Sequence, residues 1–162
     1  MKRYSAPWSP WLWGLSVFTV IACALVVYYR LYYLMHFEVR SFSSWLTLIV
    51  FLFPILSLFF MIRGYSIGNG ELRIHRLLWD TVISLQTLRS AKYDPNIMRS
   101  SYRLFGNGGA FSFTGIYRNS TLGNYRAFVT DLRKTVALHF PKRTIVISPG
   151  DPEDFVRTIS EA

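Results

Sequence analysis

Apolar positions fall into two regimes along the chain. From Trp11 to Tyr29, and again from Trp45 to Ile62, they run on without one formally charged residue. From Tyr65 onward they alternate with polar positions in short runs broken by glycine, proline, asparagine and aspartate. An α-helix rises about 1.5 Å per residue and the hydrocarbon core of a bilayer is about 30 Å thick, so both uncharged stretches read as membrane spans. Period-two alternation instead marks half-buried β-strands. The pattern divides the chain into a transmembrane helical hairpin over residues 1–63 and a β domain over residues 64–162.

The β domain begins almost without a linker. Tyr65-Ser66-Ile67 alternates, Gly68-Asn69-Gly70 supplies a tight turn, and Leu72-Arg73-Ile74-His75 alternates again, which predicts a hairpin starting at the membrane. Further strands are expected over Thr81–Leu85, Leu88–Tyr93, Phe111–Tyr117, Tyr125–Thr130, Thr135–Phe140 and Thr144–Ile147. Asp94-Pro95-Asn96, Gly106–Gly109, Asn119–Gly123, Asp131 and Pro141 mark turns between them. Val136, Leu138 and Phe140 share one face and oppose Ala137 and His139, as in an antiparallel sandwich or barrel. A short helix closes the chain: Asp151 suits the N-cap, Pro152 the first helical position and Glu153 and Asp154 the positive end of the dipole, while Phe155 and Ile159 share an apolar edge.

Charge and aromatic placement give the hairpin an orientation. Trp8, Trp11 and Trp13 flank one end of the first span, Tyr28, Tyr29, Tyr32 and Tyr33 the other, and Trp45 stands where the chain re-enters, as interfacial rings do. Lys2 and Arg3 precede the first span and Arg63, Arg73 and Arg76 follow the second, against Arg30 and Arg40 in the connection. The excess places both termini in the cytoplasm. A competing reading takes residues 1–29 as a cleaved signal, with Ala22-Cys23-Ala24 or a lipoprotein-like box at Cys23, but the apolar run continues past that point to Tyr29. Pro54 interrupts the second span and is expected to kink it. Neither span holds an Asp, Glu, Lys, Arg or His to bind an ion or relay a proton. The formal charge of +9 divides into +3 over residues 1–62 and +6 over residues 63–162, where fourteen Lys and Arg face eight Asp and Glu. That balance is what a cytosolic domain held near anionic lipid carries.

The run Arg103-Leu104-Phe105-Gly106-Asn107-Gly108-Gly109, with Phe111, Gly115, Leu122-Gly123 and Thr130, and the ending Ser148-Pro149-Gly150-Asp151-Pro152-Glu153-Asp154-Phe155, together with the Tyr65–Gly70 opening, resembles the small bacterial membrane proteins that carry a pleckstrin-homology-like (PH-like) domain after two N-terminal helices. The likeness covers residues 65–160. It implies an α+β membrane protein whose PH-like antiparallel β-barrel or sandwich of about seven strands is capped by a C-terminal helix. It implies a fold and a place more than an activity, and no binding residue carries over from it.

The candidate chemistry is correspondingly sparse. The glycine run offers backbone amides for an anion, and Gly106, Gly108 and Gly109 with Arg99, Arg103, Arg118 and Arg126 form the candidate lipid- or anion-binding set. The run lacks the Lys-Ser/Thr ending of a phosphate loop and is read in preference as a glycine-dependent bulge or hairpin at a barrel corner. His36, His75 and His139 are scattered and the single Cys23 lies in a span, so neither a catalytic constellation nor a metal site nor a cofactor is expected. Arginines interleaved with Tyr102, Phe105, Phe111, Phe113 and Tyr117 suit a barrel core, and no nucleic-acid partner is expected. The sequence thus leads to a non-enzymatic, multi-pass protein of the bacterial inner membrane. Its cytosolic domain engages an unidentified protein or a second copy of itself, with anionic phospholipid as the alternative ligand.

Overall fold

A computed structural model describes residues 1–36 and 43–161; Glu38 and Arg40 of the inter-helix connection lie outside them. The chain opens with a strand, β1 (Lys2–Ser5), before α1 (Pro10–His36) and α2 (Ser43–Phe59). Nine strands follow: β2 (Ile62–Gly68), β3 (Glu71–Arg76), β4 (Asp80–Ser84), β5 (Ser90–Tyr93), β6 (Tyr102–Gly108), β7 (Phe113–Asn119), β8 (Gly123–Val129), β9 (Val136–His139) and β10 (Thr144–Ile147), closed by α3 (Pro152–Ser160). They form a four-stranded sheet in the order β1-β2-β3-β4 and a six-stranded sheet in the order β5-β9-β10-β8-β7-β6. The two-sheet sandwich with its C-terminal helix is the PH-like outline that the sequence resembles.

The two strands absent from the sequence reading have clear origins. Lys2 and Arg3 look like a charged flank, yet Tyr4 directly after them is buried in the core, edge-on to Phe155 at 5.0 Å, and pairs in register with Tyr65. Tertiary burial of one aromatic ring makes this tetrapeptide a strand. β6 is hidden by its glycines: Gly106 and Gly115 face one another across the β6–β7 pair at φ 112° and 149°. A Cβ on either would run into the opposite backbone, so the glycines bring two strands close where the pattern suggests a turn.

One strand pair is parallel rather than antiparallel. The β9–β10 hairpin folds so that its second strand lies beside β8, with Ile145 opposite Arg126. At the end of that pair the Ser148 hydroxyl accepts the amides of Thr130 (2.8 Å) and Asp131 (3.2 Å), and the fully buried Tyr65 hydroxyl donates to the Phe128 carbonyl at 2.7 Å. These bonds satisfy groups that the ladder leaves open. The main core packs Tyr65, Leu72, Ile74, Phe128, Leu138, Ile145 and Phe155 between the sheets and α3. As the sequence predicts, α3 is capped by Asp151, whose carboxylate accepts the Asp154 amide at 3.0 Å, with Pro152 opening it and Phe155 and Ile159 buried.

A second cluster joins the β domain to α1. Leu12 is fully buried among Phe113, Tyr117, Tyr125, Val129 and Val146 on the outer face of the larger sheet. Ser9 accepts the Leu12 amide at 3.1 Å as a helix cap, and its own amide donates to Thr130 O. The first two turns of α1, inside the predicted span, are therefore docked on protein. Beyond them Val17, Phe18, Ile21, Leu25, Tyr28 and Tyr29 are exposed. Among the described residues one helix, Pro10–Tyr33, is long and apolar enough to cross a membrane by length and composition. The second is shorter, 17 residues with Pro54 inside it, and packs against α1; the chain is already extended in β2 at Ile62, where the sequence predicts the span to end.

Candidate functional site

A groove of about 730 Å³ lies where α2 ends, between that helix and the edge of the larger sheet. One wall is the apolar side of α2, with Phe53, Leu56 and Phe60; the other is the β6–β7–β8 face, with Phe105, Ile116 and Arg126. Strand register sets this face, since Ile116 stands opposite Phe105 on one side and Arg126 on the other. It continues the core-facing side of the sheet past the point where the smaller sheet stops covering it, which leaves Phe105 76% exposed.

Three arginines converge on the groove. Arg103 comes from β6, Arg126 from β8 and Arg76 from the end of β3. Arg76 is the unusual one. In β3 the inward positions are Leu72, Ile74 and Arg76, so a guanidinium occupies the third place of an apolar row and is only 7% exposed. Its Nε donates to Thr81 Oγ1 at 3.2 Å, and the cation stacks over Phe60, Trp79 and Phe128 at 5.3–5.6 Å. Its Nη1 has no hydrogen-bond partner among the described residues. Burial, and then the nearby charge of Arg126, push the Arg76 pKa down from its ordinary value. No Asp or Glu lines the groove among the described residues, and none forms an ion pair with these three arginines. Electrostatically the groove is cationic at one end and apolar along its wall.

The predicted anion set is divided by the fold. Arg103, Gly106 and Arg126 line the groove, and Gly108 lies beneath the Arg103 side chain. Arg118 is exposed on β7 opposite Tyr102, and Arg99 is exposed in the turn after β5; neither lines the groove. Gly109 packs on α1, where a Cβ would come 2.6 Å from Leu15. The amides around it serve the protein itself: Gly109 donates to Ser112 O, Ala110 to Asn107 Oδ1 and Phe111 to Ser16 Oγ, at 3.0–3.1 Å. Ser112 in turn donates to Phe60 O at 3.0 Å, so this turn fastens both helices to the sheet. Sequence reasoning missed Arg76 and the α2 wall. The legible signal for Arg76 was a charge on the apolar parity of a strand; nothing local foretells that α2 lies across β6.

The smaller sheet carries a second polar arrangement. Ser66 Oγ lies 2.9 Å from His75 Nε2, and His75 Nδ1 lies 2.9 Å from Asp80 Oδ1. The connectivity is that of nucleophile, base and orienting acid. Ser66, however, is completely buried, with Arg3 and Arg73 as its cross-strand neighbours. Its hydroxyl is closed off from solvent, and the chain of bonds ties β2, β3 and β4 together. No group of His, Cys, Asp and Glu among the described residues is arranged to hold a metal ion.

Comparison with known proteins bears on the β domain. No curated protein and no solved structure matches the chain. A family model described as a bacterial PH domain matches residues 63–162, more than half of the 162 residues. With its sandwich, its capping helix and its arginine-lined groove beside α2, this chain belongs to the bacterial PH domain family.

Proposed function

We propose that this chain is a multi-pass bacterial inner-membrane protein in which α1 and α2 both cross the bilayer. Its PH domain is then a non-catalytic binding module on the cytosolic surface, engaging a protein partner or a second copy of itself. The observation that carries this reading is the pairing of β1 with β2, since the chain leaves for α1 and returns from α2 on adjacent strands of one sheet. The helices therefore depart from and return to one side of the domain. In the sequence Lys2, Arg3, Arg63, Arg73 and Arg76 flank the helix pair on the domain side, against Arg30 and Arg40 in the connection, which supports a cytosolic domain. At about 1.5 Å per residue, α2 is about 25 Å long, at the short end of what spans a bilayer.

The β3–β4 turn supports a close seat on the lipid. β2 runs away from α2 and β3 runs back, so residues 77–79 return beside the helix end, where Trp79 meets Phe60 edge-on at 5.7 Å. There Leu77, Leu78 and Trp79 are all exposed, Leu78 by 67%. An apolar loop tip next to a membrane helix suits the headgroup boundary. For a protein partner the sheet offers β6, the last strand in its order, with Tyr102 and Leu104 exposed along it. Tethering raises the effective concentration of any such contact.

Two-sided labelling tests the topology. In a Cys23→Ala background, Ser41→Cys is expected to react with an impermeant maleimide from outside the cell and Asn69→Cys only after permeabilisation. Reaction of both from the same side would remove the two-span reading. A photoreactive group in place of Leu104 is expected to trap a dimer or one defined protein; absence of any product would remove β6 as the contact.

A further inference from the structure

We propose that the groove between α2 and the β6–β7–β8 face binds an anionic phospholipid, its phosphate held by Arg76, Arg103 and Arg126 and an acyl chain lying against Phe53, Leu56 and Ile116. The proposal rests on the reading that α2 lies in the bilayer and names the ligand of the site beside it.

The charge in the groove requires a counterpart. A guanidinium 93% removed from water, with an unused N–H and a second arginine close by, is costly unless an anion supplies the missing acceptors. Arginine's planar fork matches phosphate oxygens in bidentate fashion. Thr81 and three aromatic rings hold Arg76 in place without neutralising it, so the site is organised before the ligand arrives.

The apolar wall decides which anion. From Phe53 to Phe60 the groove follows α2 for two turns, about 10 Å along the helix axis. A soluble phosphate would occupy the arginine end and leave that wall bare. The wall is continuous with Ile49, Leu52 and Phe53, which are exposed along α2 and face lipid if the helix is inserted. An amphiphile entering sideways from the bilayer covers both parts of the groove, and its volume falls within the range of about 300–1,000 Å³ of small-ligand sites. Three cations with no opposing carboxylate favour a headgroup of two negative charges over one.

The test is native mass spectrometry of the full chain in a neutral detergent, titrated with phosphatidic acid, phosphatidylglycerol or phosphatidylcholine of identical chains. At about fivefold per arginine, phosphatidic acid is expected to bind about 100-fold more tightly than phosphatidylcholine, with phosphatidylglycerol between them. The double variant Arg103→Ala/Arg126→Ala removes two exposed side chains and is expected to keep the fold. It should lose about 30-fold for phosphatidic acid with phosphatidylcholine unchanged. Equal binding of all three lipids, anionic binding indifferent to the double variant, or full displacement of phosphatidic acid by equimolar inorganic phosphate would each overturn the proposal. Release of the protein from membranes by alkaline carbonate would instead overturn the membrane reading, and the titration in detergent distinguishes the two failures.

Discussion

The two ends of the PH domain treat positive charge in opposite ways. At the α3 end two cations share one acid: Lys2 and Arg157 both pair with Asp154, which also accepts from the Tyr4 hydroxyl at 2.9 Å. Around the smaller sheet Arg73 meets Glu71 and His75 meets Asp80. At the groove end Arg76, Arg103 and Arg126 share one space with no carboxylate among the described residues. The formal charge of the chain is therefore not a uniform coat. An ion pair joins β1 to α3, and three arginines with no carboxylate beside them among the described residues gather at the groove where α2 meets the domain. The difference teaches where to look for a ligand, since a buried charge without a partner is stable only if something outside the chain completes it.

The largest effect that would break the comparison lies at the paired end. Tyr4→Ala removes a buried ring that packs on Phe155 and the hydroxyl that binds Asp154 and Thr158, and is expected to cost about 3–5 kcal/mol in thermal or denaturant unfolding of the solubilised protein. A cost below about 1 kcal/mol would mean that β1 is not part of the folded sheet. For the same reason a functional domain excised at residue 64 lacks an edge strand, and binding studies on such a fragment test an incomplete molecule.

Gly115→Ala comes next. It places a Cβ against the Phe105 backbone at φ 149° and is expected to cost about 3 kcal/mol, read as a lowered unfolding midpoint. Tyr65→Phe deletes the hydroxyl that donates to Phe128 O and accepts from the Ser148 amide, and should cost about 1–2 kcal/mol by the same measurement. Arg76→Met sharpens the comparison by inverting the sign. Exchanging an uncompensated buried cation for an apolar side chain of similar length should leave the lipid-free protein unchanged or up to about 2 kcal/mol more stable. A loss of more than about 2 kcal/mol would show that Arg76 serves the fold like the cations at the other end.

Acid gives the smallest and most local effect. The Lys2 ammonium, and after it the Tyr4 hydroxyl, hold the Asp154 carboxyl down at about 2, against an ordinary value of 3.8. Because the folded pKa is the lower one, the contribution of Asp154 is complete above about pH 4 and is lost as pH falls through about 2. The unfolding midpoints of the wild type and Asp154→Asn should therefore differ at neutral pH and converge between pH 4 and 2. A constant difference across that window would place the stabilisation elsewhere.

Most of the scaffold was legible because it rests on local signals. Period-two alternation gave β2, β3, β9 and β10, the apolar runs between turn residues gave β4, β5, β7 and β8, and the Asp151-Pro152 cap gave α3. What escaped depended on partners distant in the chain. β1 exists because Tyr4 fills a gap beside Phe155, 151 positions away. β6 exists because two glycines approach across strands. Arg103, Gly106 and Arg126 were legible as candidates, but Arg118 lies two residues further along β7 than Ile116 and Arg99 stands in the turn after β5, so neither reaches the groove, and only the assembled sheet decides that. The glycine run, read as either an anion nest or a corner, spends its amides on Ser16, Asn107 and Ser112.

The central claim is that the groove end of the domain rests on the bilayer while the opposite end of β2 stands away from it. The most direct measurement is an environment-sensitive fluorophore on Leu78→Cys or Asn69→Cys, each in a Cys23→Ala background, with the full chain in nanodiscs containing lipids spin-labelled near the headgroup. The account predicts strong quenching and a blue-shifted emission at position 78 and neither at position 69. Equal quenching at the two positions, or none at position 78, would contradict it.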